Sequence, residues 1–183
     1  MEVKGRRNFL SKVMLTSIGG AALLSTSANA KSTQNQSLTE VQKDKLFFIY
    51  QEEKVARDVY ITLGNIYTDE NTFASIQISE QRHMDSAREL CEKYGVDISN
   101  VDESQVGEFV LPVLQELYDT CVSTGEESIL DALKIGELIE LTDIDDLEDA
   151  AQDMPSDVIT VFESLKEGSY NHLDAFQTAI ARA

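Results

Sequence analysis

Several residue types are scarce in this chain, and each scarcity excludes a class of protein. Among 183 residues there are no tryptophans, two cysteines and two prolines, and only 15 lysines and arginines stand against 33 acidic residues. The net charge of −18 excludes nucleic acid and anionic membrane surfaces as partners, and it attracts cations. No segment alternates apolar and polar residues for long enough to predict a β-strand, and no apolar run is long enough to span a membrane. These absences leave an all-α protein as the expectation.

The first thirty residues have the layout of an export signal. Arg6 and Arg7 precede a Phe-Leu pair and a lysine, an apolar run spans Val13–Leu24, and a small-residue exit, Ala-Asn-Ala, ends at residue 30. The pattern resembles a twin-arginine signal, which implies export of a protein that has already folded, often around a cofactor. The alternative is an amphipathic anchor that is not cleaved. No cysteine follows the run, so a lipoprotein anchor is not expected.

Cleavage after this signal defines the rest of the predicted organisation. Residues 1–30 are assigned to the signal, 31–38 to a polar leader and 39–183 to one domain. The signal contains four basic residues and one acidic one, so its removal changes the net charge from −18 to −21. The expected location is the periplasm or the cell exterior, without a stable membrane anchor after cleavage.

Apolar residues recur at spacings of three and four in four segments, which predicts four long amphipathic helices. The predicted helices cover about 39–66, 71–94, 128–153 and 156–181. Gly95 is expected to end the second helix, and Pro155 precedes the fourth. The connection 96–125 is long and contains one short predicted helix, 110–122, with Pro112 in its first turn. Two short turns and one crossover predict a four-helix bundle, whereas a coiled-coil oligomer would not hold carboxylates in every seam.

Each of the four long helices has polar side chains in the middle of its apolar seam. The predicted seams are Leu46, Ile49, Glu53, Ala56, Tyr60 and Leu63; Phe73, Ile76, Glu80, His83, Ala87, Leu90 and Tyr94; Leu130, Leu133, Glu137, Glu140, Ile144, Leu147 and Ala151; and Val158, Phe162, Leu165, Ser169, His172, Phe176 and Ala179. An unpaired buried carboxylate is costly, so buried carboxylates are paired or bind metal. Since these residues are expected in one layer, they predict one shared polar site inside the bundle. Carboxylates and imidazoles suit iron or manganese, with zinc as an alternative. The candidate ligands of a centre with two ions are Glu53, Glu80, His83, Glu137, Glu140 and His172.

Three further residues are expected beside these ligands: Ser169, Arg57 and Tyr60. Simpler interpretations remain open for each side chain. Glu53 could pair with Arg57 one turn later, Tyr60 could be a core aromatic residue, and a single core histidine is usually a packing residue. The whole layer could also form a metal-free network of hydrogen bonds. The acidic run within the third long helix is interpreted as a solvated face, because it mostly avoids seam positions. It also lacks the glycine of a calcium loop, so no calcium loop is predicted there. The run comprises Asp143, Asp145, Asp146, Glu148 and Asp149.

Two segments resemble the rubrerythrins of the ferritin-like superfamily. Residues 53–60 are similar to the Glu-x-x-Ala-Arg-x-x-Tyr motif of their first helix, and residues 136–140 are similar to the Gly-Glu-x-x-Glu motif of their third. More closely, the chain from about Thr39 to Phe176 resembles an uncharacterised ferritin-like family of unknown function. The segments that carry this resemblance are Glu52–Tyr60, Ser79–Asp85, Leu114–Asp119 and Gly168–Leu173. The resemblance implies a ferritin-like bundle around a di-iron or di-manganese centre.

The chain departs from the rubrerythrin pattern at one ligand position. Ser169 stands where the fourth helix of rubrerythrins has a glutamate, and serine is a poor ligand for these ions. The position is therefore expected to be open to water or to a small substrate such as peroxide. No Cys-x-x-Cys pair is present, so the rubredoxin-type iron domain of full rubrerythrins is absent. Cys91 and Cys121 could form a disulfide or remain two buried thiols.

Three functions follow from these expectations. The first is an exported oxidoreductase that acts on peroxide, oxygen or ferrous iron. The second is a protein that binds or buffers metal without turnover, and the third is a metal-free structural bundle. The expected partners are metal ions; a homodimer, the redox partner and the substrate are left open by the sequence.

Overall fold

The computed structural model of the protein describes residues 37–183, and these residues contain five α-helices and no strand. The helices are α1 (Glu40–Ile66), α2 (Asn71–Tyr94), α3 (Pro112–Gly125), α4 (Ile129–Ala150) and α5 (Ser156–Ile180). This confirms the predicted all-α class, with four long helices and a crossover that carries a short one. The predicted signal, residues 1–30, lies outside the described residues, as does most of the leader. Within the described part, no helix is both long enough and apolar enough to cross a membrane.

The helix ends follow from local chemistry. Thr39 and Gln42 form a capping box at the start of α1, in which each side chain accepts a hydrogen bond from the other's backbone N–H. Gly95 ends α2 in the left-handed conformation, with φ 67°, as the sequence predicted. α4 ends at Ala150, three residues earlier than predicted, and the following turn includes Asp153 at φ 64°. The short helix α3 begins and ends slightly later than expected.

The direction of each long helix can be read from one apolar cluster at an end of the bundle. This terminal cluster combines the start of α1, the end of α2, the end of α4 and the start of α5, and its members include Leu46, Ile49, Leu90, Cys91, Leu147, Ala150, Val158 and Phe162. α1 and α5 therefore run one way, and α2 and α4 run the other way. α1 packs against α2 and α4, and α5 packs against α4 and α2. The crossover from α2 to α4 must span the bundle, whose longest helix, α1, has 27 residues and is about 40 Å long.

The crossover covers the outer side of α1, so every residue from 49 to 60 is buried. Three charged side chains of α1 fasten it. Lys54 Nζ donates to Asp58 Oδ2 at 2.6 Å and to the backbone carbonyls of Gln105 and Glu108 at 2.7 and 3.1 Å. Asp58 also accepts from Arg57 Nε and from the backbone N–H of Gly107. We call Lys54, Arg57 and Asp58, with the crossover backbone that they bind, the crossover anchor.

A second apolar region lies at the other end of the bundle. The rings of Tyr60, Phe73 and Phe176 pack together, with centroids 5.1 to 6.2 Å apart. Gly136 of α4 makes room for Phe176, because a Cβ atom at that position would collide with the ring. This aromatic cluster and the terminal cluster leave a polar layer between them, in the middle of the bundle.

Candidate metal centre

Five of the six predicted ligands meet in the polar layer, which is defined here by Glu53, Glu80, His83, Glu140 and His172. α1 supplies the first, α2 the next two, α4 the fourth and α5 the last. None is more than 8% exposed. Four helices therefore each present at least one metal-capable side chain to the same enclosed space.

Glu80 lies between the two imidazoles. Its Oε2 atom is 3.1 Å from His83 Nδ1, and its Oε1 atom is 2.7 Å from His172 Nδ1. A second carboxylate approaches each ring from another helix: Glu53 Oε2 is 3.4 Å from His83 Nδ1, and Glu140 Oε2 is 3.5 Å from His172 Nδ1. The layer thus consists of two half-sites, Glu53 with His83 and Glu140 with His172, that share Glu80.

These short separations are not hydrogen bonds. Within the described residues, no hydrogen-bond partner is present for Nδ1 of either histidine, for both oxygens of Glu53 or for Glu80 Oε1. The distances are suitable, but the alignment that a hydrogen bond also requires is not met. One ligand atom each from Glu80, His83 and His172 lies within 4.8 Å of the other two. Ligand atoms about 2.1 Å from one ion are about 3 to 4 Å from each other, and the separations of 2.7 to 3.5 Å between the carboxylate oxygens and the Nδ1 atoms are close to this range, so the donor set fits a metal ion.

Burial and mutual proximity shift the pKa values of this layer strongly. Burial raises the pKa of Glu53 to about 7 and that of Glu140 to about 8. Burial alone would raise the pKa of Glu80 as well, but the two imidazoles lower it to about 2. Burial opposes the charged imidazoles, yet the surrounding carboxylates raise the pKa of His83 to about 11 and that of His172 to about 9. Without a metal ion, the layer balances its negative charge with protons.

The remaining predicted residues have different positions. Glu137 is not brought into the layer: it is partly exposed, and its Oε1 atom accepts a hydrogen bond from Gln177. Arg57 belongs to the crossover anchor, so it does not pair with Glu53. Tyr60 lies beside the layer, where its hydroxyl donates to Glu140 Oε1 at 2.6 Å and orients that carboxylate.

Ser169 is buried on the side of α5 that carries His172, and the space beside it is not open. Its Oγ atom is fully buried and lies 2.5 Å from Asp143 Oδ2, to which it donates. A carboxylate from α4 therefore occupies the space beside Ser169. Asp143 itself is 5% exposed, so its assignment to a solvated face is wrong.

The periodicity of the sequence did not predict that Asp143 is buried, because the buried face of α4 is rotated from the predicted seam. Leu130 is 37% exposed, although it was expected inside. The buried residues with the same spacing are Leu133, Gly136, Glu140, Asp143, Leu147 and Ala150. Counting the small residues Gly136 and Ala150 as buried positions would have found this alternative seam.

Two other carboxylates near the layer were missed. Glu52 of α1 is 4% exposed and approaches Asp146 of α4, and neither Glu52 Oε2 nor Asp146 Oδ2 has a hydrogen-bond partner in the described residues. Burial raises the pKa of Glu52 well above its usual range, and the Asp146 carboxylate adds to that shift. This pair extends the acidic interior from the layer toward the surface of α4.

The imidazoles lie where α2 meets α5. Their rings stack with centroids 5.1 Å apart. The Nε2 edge of His83 lies against Gly168 of α5, and a Cβ atom at that glycine would collide with the ring. The glycine therefore gives His83 the space to turn Nδ1 toward the layer.

The two cysteines form no disulfide. Cys91 and Cys121 are both free and buried, and each thiol belongs to an apolar environment that raises its pKa to about 12. Of the two alternatives that the sequence left open, the structure has the buried thiols.

Comparison with known proteins gives a family but no activity. Residues 42–183 match a family described as "Uncharacterized protein domain (DUF2202)". The uncharacterized protein MJ0754 of Methanocaldococcus jannaschii is 41% identical over 146 residues, which cover 79% of this chain and 78% of that relative. The crystal structure of the hypothetical protein MJ0754 from Methanococcus jannaschii is similar with a TM-score of 0.77 at 38% identity, over 83% of this chain and 86% of that one. The chain belongs to the DUF2202 family.

Proposed function

We propose that this protein is an exported, ferritin-like metalloprotein that binds two ions of iron or manganese in its polar layer. Zinc is the alternative ion. The observation that carries the proposal is the set of buried Nδ1 and carboxylate atoms that converge without hydrogen bonding one another. Glu53 and His83 would hold one ion, Glu140 and His172 would hold the other, and Glu80 would offer one oxygen to each.

The charge of the layer supports the same proposal. Among residues 37–183, no lysine or arginine forms a salt bridge with a carboxylate of the layer; its contacts within 4.0 Å are with the two histidines. Lys54 and Arg57 are near in sequence, but both are engaged in the crossover anchor. Buried carboxylates whose only charged neighbours are histidines are expected to bind cations, or to hold protons on themselves and on the imidazoles. Iron or manganese supplies the positive charge and accepts both carboxylates and imidazoles.

The protein's own side chains define what such a centre could do. Bound iron or manganese would supply redox chemistry toward peroxide, oxygen or ferrous iron. Tyr60 fixes the orientation of Glu140, and the aromatic cluster closes the layer on one side. The histidines, at 8% and 7%, are the most exposed members of the layer, so a small molecule would approach between α2 and α5.

The test is metal binding by the purified full-length protein. Elemental analysis and anaerobic titration with ferrous, manganous and zinc ions should give about two ions per chain. Glu80→Gln keeps the size of the side chain but removes the shared carboxylate, so its metal content should fall below one. Glu148→Gln, on the exposed side of α4, is the matched control and should match the parent. The proposal fails if the parent takes up no metal, or if the two variants retain equal amounts.

A peroxide and ferrous-oxidation assay on the loaded protein then separates two roles. Consumption of either substrate supports the oxidoreductase. Stoichiometric uptake without turnover supports a protein that only binds or buffers metal. The near-complete burial of the layer implies slow exchange of a bound ion, which suits a resident centre better than a metal buffer.

A further inference from the structure

The serine on α5 is the feature of the layer that the proposed ligand set does not use. Ser169 is fully buried at the depth of the layer, one turn before His172. A serine hydroxyl offers no charge to an ion. Its hydrogen is donated instead to Asp143 Oδ2 at 2.5 Å, and Leu165 O lies at 3.1 Å as a second acceptor. Ser169 therefore holds a carboxylate that another helix supplies.

One carboxylate oxygen of Asp143 has no hydrogen-bond partner in the described residues. Oδ2 accepts the Ser169 hydrogen bond, whereas Oδ1 is buried without a partner in the described residues. An orphaned buried carboxylate oxygen is costly and calls for a ligand. No lysine or arginine of residues 37–183 forms a salt bridge with Asp143. Burial raises its pKa well above the usual range, with further increases from Glu53 and Glu140, so the carboxylate lies within the field of both half-sites.

The position of Asp143 on α4 places its side chain on the same side of the helix as a ligand of the layer. It follows Glu140 by three residues, so both side chains project from the same side of the helix. α2 uses the same spacing for Glu80 and His83, which both belong to the layer. α4 thus presents two carboxylates where α5 presents only one imidazole.

We propose that Asp143, held by the Ser169 hydroxyl, is a metal ligand of the polar layer and replaces the carboxylate that α5 lacks. This inference rests on the proposed metal centre. It differs from the expectation of an open position at Ser169, because the space beside that serine already contains a carboxylate.

The proposal makes opposite predictions for the metal-free and the metal-loaded protein. Asp143→Asn removes negative charge from an acid-rich interior, so the melting temperature in chelator should stay the same or rise. The rise in melting temperature on adding ferrous or manganous ion should shrink. The second ion should bind at least tenfold more weakly, or the stoichiometry should fall from two to one. Asp145→Asn, two residues away on the exposed face, is the control and should behave as the parent.

A double substitution tests the replacement directly. Asp143→Ser alone removes the carboxylate from α4, and adding Ser169→Glu returns one on α5. The double variant should bind the second ion more tightly than Asp143→Ser does. This rescue is not expected if Asp143 acts only through its hydrogen bond.

Each outcome bears on one claim. If the parent binds two ions and Asp143→Asn binds two with unchanged affinity, Asp143 is not a ligand, while the proposed centre stands. Equal losses of melting temperature in chelator and in metal would show a structural role and overturn the inference. A parent that takes up no metal would overturn the proposed function itself.

Discussion

Two buried polar clusters meet on the same turn of α1, and they are built on opposite principles. Lys54 faces the crossover and Glu53 faces the polar layer, although they are adjacent in sequence. In the crossover anchor, two cations surround Asp58, and their other hydrogens are accepted by backbone carbonyls and by the side-chain oxygen of Gln81. None of its side-chain atoms is without a partner, whereas the polar layer leaves several nitrogen and oxygen atoms without one.

The difference separates a structural cluster from a candidate binding site. A buried polar group in a structural role closes its own hydrogen bonds, because each orphaned group costs stability. The crossover anchor meets this condition with protein atoms alone. The polar layer does not meet it, and its excess of carboxylates has the sign that a cation would neutralise. The following predictions test whether the two clusters respond differently to metal.

The largest effect is expected in the crossover anchor. Lys54→Met leaves Asp58 charged, buried and short of its closest partner, which typically costs about 3–5 kcal/mol. Urea unfolding should show the same loss in chelator and in metal, because no hydrogen bond or salt bridge joins the anchor's side chains to the layer's ligands. Lys43→Met is the control: its salt bridge with Glu40 is exposed, and its loss should cost less than about 1 kcal/mol. If metal restores the unfolding free energy that Lys54→Met loses, the crossover anchor and the polar layer are not independent.

An effect of similar size for each shifted glutamate, on the order of 3–5 kcal/mol at about 1.4 kcal/mol per pKa unit, is expected from pH. In the metal-free protein, Glu53 and Glu140 have pKa values raised to about 7 and 8, so folding takes up protons and stability falls as pH rises above 4.5. His83 and His172, raised to about 11 and 9, lose their contribution as pH rises above 6.5. Glu80, whose pKa is lowered to about 2, contributes stability that is lost only as the pH falls from about 4.5 toward 2. It therefore does not affect the trend above pH 4.5.

Bound metal should oppose the loss of stability that the metal-free protein shows as the pH rises. Metal ions need deprotonated ligands, so the stabilisation that metal provides should grow from pH 5 to pH 8. Melting temperatures measured across pH 5–9, with chelator and with metal, should therefore diverge as pH rises. Two parallel curves would mean that the metal does not bind the groups whose pKa values are shifted.

The sequence predicted three of the four long-helix seams well, for a clear physical reason. The buried face of α5 is the predicted one at every position, from Val158 to Ala179. There, large apolar residues occupy one face and leave a single choice of register. On α1 the predicted seam is also buried, but the sequence could not show that Lys54 and Asp58 on the other face are buried too. Their burial depends on the crossover, which is distant in the chain.

α4 shows where periodicity fails. Its residues allow two seams that differ by a small rotation, one with Leu130 and Glu137 and one with Gly136 and Asp143. The choice depends on Phe176 of α5, whose ring needs the space that Gly136 leaves. A contact between helices decided the register, and the ligand candidates on α4 changed with it.

The next smaller effects are expected from substitutions of two glycines, Gly136 beside the aromatic cluster and Gly168 beside the polar layer. Gly136→Ala places a methyl group against the enclosed ring of Phe176, and overpacking minus the gain in helix propensity should cost about 1–2 kcal/mol with or without metal. Gly168→Ala instead pushes against His83, at the edge of the layer. Its stability in chelator should change by less than about 1 kcal/mol, because the helix gains propensity. Its metal affinity should fall about tenfold, and calorimetric titration of both variants would show whether the two effects separate in this way.

The smallest effect is expected at Glu137, which the sequence placed among the ligands and the structure places outside the layer. Its carboxylate is partly exposed and bonds to Gln177, so Glu137→Gln should leave metal content and melting temperature within error of the parent. Glu140→Gln, one turn later on the same helix, changes the same chemical group at 1% exposure and removes the acceptor of the Tyr60 hydroxyl. It should weaken the ion at the Glu140 and His172 half-site and leave the other half-site occupied. Elemental analysis of the pair provides a direct test of the α4 register. Equal losses of metal in both variants would mean that α4 turns its predicted seam to the layer, and Asp143 would then face away from the ions.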